Sequence, residues 1–257
     1  MYPVLFKLGQ LSIFTYGFFI AVCFFVGIVL ARREARRVGE DPEKITDLSF
    51  YVLVFAIIGS RFFYIVTNLE IFLADPLEIV KLWKGGLVFY GGFIAALIAA
   101  LIYMKINNLP VFKTADIFAP AIPAGQFFGR LGCLFAGCCY GKACDLPWAI
   151  TFKNPDSLAP LGIPLHPTQL YHAGGNLILF GFLWFFRKRK TFEGQLFWLY
   201  VLLYGIIRSF TEVFRGDFRG SPVFGILSVS QVLGGTMAII AIVMLIIFTK
   251  RVGTKLL

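Results

Sequence analysis

The sequence predicts an all-α integral membrane protein with about seven transmembrane helices, its N-terminus outside and its C-terminus cytoplasmic. Three observations predict it. The chain is 58% hydrophobic and only 15% charged, too few polar groups to cover a soluble domain of 257 residues. Several apolar runs reach the roughly 20 residues that cross about 30 Å of hydrocarbon. Lys/Arg clusters fall at the ends of alternate runs, as cytoplasmic loops require. The net charge of +10 therefore reads as basic loops facing anionic lipid and not as a nucleic-acid footprint. No low-complexity segment, internal repeat, heptad seam or cleavable signal peptide is evident; residues 1–10 lack a basic n-region and the first apolar run continues to Leu30. The whole chain, 1–257, reads as a single polytopic membrane domain.

The first span is expected over Leu8 to Leu30, followed by Arg32, Arg33, Arg36 and Arg37, an inner cluster that puts the N-terminus outside. Asp41-Pro42 opens an amphipathic stretch leading to a second span, Leu48 to Thr67. Residues 68–86, with Asn68, Glu70, Asp75 and Glu78, form an outer loop with a short surface helix. A third span runs from Leu87 to Met104, and Lys105, Pro110 and Lys113 make the next inner turn. The fourth, Ala115 to Phe128, contains Pro120 and Pro123 and is expected to kink. Segment 129–167 is the main outer-face segment. The fifth span, Thr168 to Phe186, ends in the inner cluster Arg187-Lys188-Arg189-Lys190. The sixth, Gln195 to Phe214, leads to an outer loop with Asp217, Arg219 and Gly220. The seventh, Leu227 to Thr249, ends in Lys250-Arg251 inside.

This topology carries a depth argument. Arg61 and Arg208 each lie about 13 residues up an ascending span, a climb of about 20 Å. Arg130 lies at the top of the fourth span, Tyr16 about two turns down the first, and Tyr90 at the top of the third. Ionisable groups inside spans face a cavity or a partner. Three arginines at one level make an anion pocket at the depth of outer-leaflet phosphates, because the guanidinium fork pairs with two phosphate oxygens at once. Arg208, Glu212 and Arg215 follow i, i+4, i+7 spacing and share a helix face, so an internal Arg208–Glu212 salt bridge is an equally open reading of that pair.

The rest of the chain is organised around Gly129-Arg130-Leu131-Gly132-Cys133-Leu134-Phe135-Ala136-Gly137-Cys138-Cys139-Tyr140-Gly141. This stretch resembles the signature G-R-x-G-N-F-x-N-x-E-x-x-G of the bacterial prolipoprotein diacylglyceryl transferases. Three further blocks are similar to that family's, in the same order. They are Trp83-Lys84-Gly85-Gly86-Leu87-Val88-Phe89-Tyr90-Gly91-Gly92, His166-Pro167-Thr168-Gln169-Leu170-Tyr171, and Tyr204-Gly205-Ile206-Ile207-Arg208 with Glu212, Phe214 and Arg215. The resemblance implies transfer of the diacylglyceryl group of phosphatidylglycerol to the thiol of a lipobox cysteine in a prolipoprotein signal peptide, in the bacterial cytoplasmic (inner) membrane. It implies Tyr90, Arg130 and Arg208 as catalytic residues. It implies Arg130, Gly141, His166, Tyr204, Glu212 and Arg215 as substrate-binding residues, and the depth argument adds Tyr16 and Arg61 to them. Membrane lipids are the surroundings; no nucleic acid, cofactor or metal is implied. The glycine pairs Gly85-Gly86 and Gly91-Gly92 allow close backbone approach beside a lipid entry.

The chain departs from that signature where the family carries asparagine (Cys133, Ala136) and glutamate (Cys138), and where many members carry histidine (Tyr90). Cys133, Cys138, Cys139 and Cys144 are disulfide candidates if the outer side is oxidising. Two other readings stay open. One is a membrane thiol-redox or metal-handling protein built on those cysteines. The other is a non-catalytic lipid-binding relative. His172 and the mid-span Cys23 read as structural.

Overall fold

The structure, a computed structural model, describes residues 1–8, 11–81, 85–217 and 227–255. Trp83, Lys84, Arg219 and Gly220 of the blocks above lie outside the described residues. The chain is mostly helical and divides into two compact units, Ala31–Thr114 and Met1–Leu30 with Ala115–Leu257. Among the described residues, four helices are long and apolar enough to cross a membrane. They are α1 (Thr15–Arg37), α2 (Pro42–Thr67), α4 (Phe89–Ile106) and the first 23 residues, Val229–Arg251, of α8 (Val229–Lys255). Three further long helices, α5 (Val111–Ala136), α6 (Thr168–Phe186) and α7 (Gln195–Glu212), carry the polar side chains described below. Large apolar side chains such as Phe25, Phe62, Phe93, Ile178, Phe185 and Ile239 point outward, which suits lipid and not water.

The first expected span begins too early. Val4–Leu8 (β1) and Leu11–Phe14 (β2) form an antiparallel hairpin, and the helix starts only at Thr15. Thr15 is tied back by its N–H to Pro3 O at 2.9 Å and by its Oγ1 to Tyr2 O at 2.6 Å. The 23 residues of α1 already reach about 35 Å, so the earlier apolar residues are free to pair as strands.

In the unit Ala31–Thr114, the Asp41-Pro42 start is as expected. Asp41 caps α2 by accepting from Glu43 N–H at 2.9 Å, and Pro42 occupies the first turn. The amphipathic stretch and second span are one helix. α2 packs directly on α4 through glycine. A Cβ at Gly59 would stand 2.3 Å from Ala95 Cβ and 2.6 Å from Gly91 O, and one at Gly92 would stand 2.1 Å from Ser60 Oγ. Gly91 and Gly92 thus allow the close backbone approach expected of them, here between α2 and α4. The expected surface helix is present as α3 (Leu69–Ala74), followed by a 3₁₀ turn, Pro76–Val80.

In the other unit, Ala119 of α5, Leu179 and Leu183 of α6, Leu196, Tyr200 and Val201 of α7 and Ala241 of α8 form one buried apolar cluster. α5 meets α1 along small residues: a Cβ at Gly125 would lie 3.0 Å from Cys23 Sγ, and one at Gly132 would lie 2.9 Å from Phe19 Cβ. α5 does not stop at Phe128 but continues to Ala136, so the first part of the expected outer segment is helical. Beyond it, β3 (Ile150–Thr151) and β4 (Pro164–Leu165) pair over a small core of Leu134, Phe152, Ala159 and Leu165.

One buried carboxylate organises the start of α7. Asp116 accepts from Lys190 Nζ at 2.9 Å, Gly194 N–H at 2.8 Å and Phe197 N–H at 3.0 Å. It satisfies helix N-terminal donors that α7's own residues leave open, since Gly194 has no side chain to do so. Replacing it strands a lysine, the buried N–H of Gly194 and the part-buried N–H of Phe197. Asp116→Ala is expected to cost about 3–5 kcal/mol, read as a fall in melting temperature of the detergent-solubilised protein. Lys190→Ala, at a partly exposed position, is expected to cost less.

Candidate active site

The C-terminal end of α5 supplies Arg130 and Cys133. Gly137, at φ +77°, then breaks the helix. A Cβ there would fall 2.0 Å from Ser157 Oγ and 3.1 Å from Ala159 N, so both the turn and its close approach need glycine. Cys139 follows at φ +59°, a left-handed conformation unusual for a residue with a side chain. The turn is held from α6. Gln169 Nε2 donates to Cys138 O at 2.9 Å and Thr168 Oγ1 donates to Cys139 O at 2.7 Å.

The opposite wall is α7. Spacing of four puts Tyr200, Tyr204, Arg208 and Glu212 on one face, and α5 presents Gln126 and Arg130 to it. Gln126 Nε2 donates to Tyr200 Oη at 3.0 Å, Tyr200 and Tyr204 stack at 5.6 Å, and Tyr204 lies in electrostatic range of Arg130. Arg208 donates to Glu212 Oε2 at 2.5 Å and to Ser230 Oγ at 2.8 Å, so the internal salt bridge is present. Glu212 also stands 3.8 Å from Arg215 Nε. Arg215 is buried and pairs bidentately with Asp217, at 2.8 and 2.7 Å. Burial works against its charge, but the Asp217 hydrogen bonds and the neighbouring Cys139 outweigh this and hold the guanidinium above its ordinary pKa.

Two observations mark this as a place for an anion. Arg215 Nη1 is buried with no hydrogen-bond partner among the described residues. Arg130 makes no hydrogen bond to the protein among them, yet lies in electrostatic range of Arg208 and Arg215. Three like charges are therefore gathered beside two sets of donors, those of Arg130 and the Nη1 of Arg215, that no acceptor among the described residues uses. A phosphate answers both the charge and the geometry.

Tyr16 of α1 is partly exposed beside this group, in electrostatic range of Arg130, Cys133, Cys138 and Cys139. The sulfurs of Cys133, Cys138 and Cys139 lie within 4.8 Å of one another, and none of the five cysteines is in a disulfide. Hydrogen bonding to the Cys133 and Cys138 sulfurs, helped by Arg215, holds the Cys139 thiol below its ordinary pKa. The same bonding to Cys133 and Cys139 pushes Cys138 up. Cys144 is tied elsewhere, its N–H donating to Pro164 O at 3.1 Å.

Gly141 sits at a crossing of three chain segments. Its N–H donates to His166 O at 3.1 Å, and a Cβ on it would stand 2.4 Å from that oxygen and 2.9 Å from Phe214 O. His166 is half-buried among Phe214 and Tyr171, with its Nδ1 3.1 Å from Tyr171 Oη. That is an arrangement for shaping the loop before α6.

Arg61 and Tyr90 belong to the unit Ala31–Thr114. Arg61 donates through Nε to Ile79 O at 3.0 Å, through Nη1 to Gly85 O and Gly86 O at 2.8 and 3.2 Å, and through Nη2 to Glu78 O. Its ring neighbours are Tyr64 and Phe72. Main-chain carbonyls take the donors that the depth argument assigned to an anion, and Arg61 fastens the segment between α3 and α4 to α2. Tyr90 is exposed at the start of α4, and its hydroxyl makes no hydrogen bond among the described residues.

Sequence reasoning missed His172. It is fully buried, with Nε2 2.9 Å from Thr211 Oγ1 and 3.4 Å from Arg208 Nη1, where it backs the arginine. Ser230 and Asp217 were missed as arginine partners as well. A signal for His172 exists in the sequence: Thr168, His172 and Asn176 recur every four residues in a mostly apolar helix, and all three are buried.

A family model described as prolipoprotein diacylglyceryl transferase matches residues 3–247. A Clostridium tetani protein named phosphatidylglycerol–prolipoprotein diacylglyceryl transferase is 37% identical over 243 residues, covering 94% of this chain and 96% of that protein. Proteins of the same name from Finegoldia magna and Vibrio cholerae are each 35% identical, over 97% of this chain and 96% and 92% of theirs. With a match across nearly its full length, four motif blocks in order and an arginine cluster at the signature, the chain belongs to the prolipoprotein diacylglyceryl transferase family.

Proposed function

We propose that this enzyme transfers the diacylglyceryl group of phosphatidylglycerol to the lipobox cysteine of a prolipoprotein, in the bacterial cytoplasmic membrane. The sulfur of the substrate cysteine, having released its proton to solvent, attacks the glyceryl carbon that carries the phosphate. A carbon–sulfur bond forms, the carbon–oxygen bond to phosphate breaks, and glycerol phosphate leaves with that electron pair. The thioether remains. The observation that carries this reading is the buried Nη1 of Arg215, which has no hydrogen-bond partner among the described residues and is gathered with Arg130 and Arg208. Donors already in place when charge develops on the leaving phosphate lower the barrier without reorganising. Glu212 holds Arg208, and His172 and Ser230 fix its orientation. The same positive field favours the substrate thiolate over the thiol. Tyr16 and Tyr204 line the phosphate's approach, and the match of Tyr90 to the family's motif carries its assignment as a hydrogen-bond donor during transfer.

The test is direct. Purified enzyme, a lipobox peptide and phosphatidylglycerol vesicles are expected to give a peptide heavier by one diacylglyceryl group, with glycerol phosphate released in equal amount. A peptide recovered unmodified, or a lipid-bound peptide with no glycerol phosphate, would overturn the proposal.

In the membrane, seven helices cross: α1, α2, α4, α5, α6, α7 and α8, with the N-terminus outside and the C-terminus inside. The basic clusters after α1, α6 and α8 support this. A single cysteine introduced at Lys188 is expected to resist membrane-impermeant thiol reagents in intact cells, in a background lacking the native cysteines. Labelling from outside would reverse the topology.

A further inference from the structure

Three of the five cysteines are drawn together at the point where α5 ends, Cys133 in its last turns and Cys138 and Cys139 in the turn that follows. Their sulfurs lie within 4.8 Å of one another and are partly buried. Three thiolates around a d¹⁰ ion with bonds near 2.3 Å stand about 4 Å apart. The convergence is therefore within an ångström of a coordination triangle, and side-chain rotation closes it.

The positions of these sulfurs are built and not incidental. The carbonyls of Cys138 and Cys139 are each held by a buried side chain of α6, Gln169 and Thr168. Cys139 is kept in a left-handed conformation that a side chain ordinarily avoids, and Gly137 before it accepts a contact no other residue fits. Charge is also provided for. Three thiolates and one cation carry a net negative charge, and Arg130 and Arg215 lie in electrostatic range of the sulfurs.

We propose that Cys133, Cys138 and Cys139 form a three-thiolate site for a single thiophilic d¹⁰ cation of the Cu(I) or Zn(II) class. Thiolate donors select such ions over hard ones. Binding displaces up to three thiol protons to solvent and changes no oxidation state. The ion clips the end of α5 to the Cys138-Cys139 turn. This goes beyond the transfer reaction, in which the ion takes no step.

Full-length enzyme, reduced and freed of reductant under anaerobic conditions, is titrated with Cd(II), whose bonds to sulfur give an ultraviolet charge-transfer band. The band is expected to saturate at one equivalent, to be quenched by competing Cu(I), and to accompany a rise in melting temperature. Cys133→Ser, Cys138→Ser and Cys139→Ser are each expected to weaken binding about tenfold or more, as loss of a ligand requires. Cys144→Ser and Cys23→Ser are expected to bind as wild type does. No saturable band in the wild type would overturn the proposal, and so would a band that survives the triple replacement or is lost with Cys144→Ser. The wild-type titration decides even if a variant fails to fold. Transfer activity measured on the same preparation separates the two readings: an active enzyme that binds no Cd(II) defeats the metal site alone, and a binding but inactive one defeats the proposed reaction alone.

Discussion

Arg130→Ala is expected to leave a folded protein that transfers diacylglyceryl several hundredfold more slowly. Arg130 makes no hydrogen bond to the protein among the described residues, so its removal strands no acceptor and little stability is lost. What goes is one charged contact to a phosphate that gains charge as it leaves, and such a contact is worth about 3–4 kcal/mol of barrier. Arg130→Lys is expected to fail nearly as badly, because the ammonium keeps the charge and loses the two-pronged geometry. Arg208→Ala differs in a telling way. It leaves Glu212 beside Arg215 alone and removes the partner of Ser230, so activity and melting temperature are expected to fall together. Tyr90→Phe is the third arm, with the fold unchanged and transfer reduced about tenfold or more, as for a lost donor in the transition state. Transfer rates beside melting curves in detergent check all three. Arg130→Lys enzyme that is folded and works at a near-normal rate would rule out the clamp.

The second large effect is expected at Gly141. An added methyl would stand 2.4 Å from His166 O and 2.9 Å from Phe214 O, both backbone atoms that cannot swing aside. Gly216 crosses at the same point: its own Cβ would lie 2.5 Å from Gly141 O, and its N–H donates to Tyr140 O at 3.1 Å. Gly141→Ala therefore has to push the signature turn away from the chain that carries Arg215. Overpacking of this kind costs about 1–3 kcal/mol of stability, and a displacement near 1 Å at a reacting centre costs about a hundredfold in rate. Gly174→Ala, which meets nothing within 4 Å, is the control and is expected to behave as wild type. Melting and transfer measurements on the pair would settle it, with normal transfer by Gly141→Ala as the contrary result.

What the sequence disclosed divides along a physical line. Long apolar runs disclose helices, because one-dimensional hydropathy is enough to say that a segment is long and dry. Asp41-Pro42 announced the start of α2 for the same local reason. The hairpin at Val4–Phe14 was lost inside an apolar run, since hydropathy does not distinguish a strand from the first turns of a helix. Arg61 shows the limit of a depth argument. Height along a helix follows from counting, but whether a guanidinium meets a ligand or the carbonyls of Glu78, Ile79, Gly85 and Gly86 depends on a loop whose path no periodicity encodes. Arg130, Arg208 and Arg215 were legible because helical spacing and the motif blocks agree on them. Asp116 was not, because its partners come from residues 190–197, far along the chain.

The outward faces of the helices carry phenylalanine, leucine and isoleucine, while the arginines of α5 and α7 face each other inside one unit. A lipid that reaches those arginines keeps its acyl chains in the bilayer, so enzyme and donor meet by diffusion in a plane. The relevant concentration is then the mole fraction of the lipid in the membrane, not its amount per volume. Diluting phosphatidylglycerol with an inert lipid slows such an enzyme at constant total donor, whereas adding more vesicles of the same composition does not hasten it.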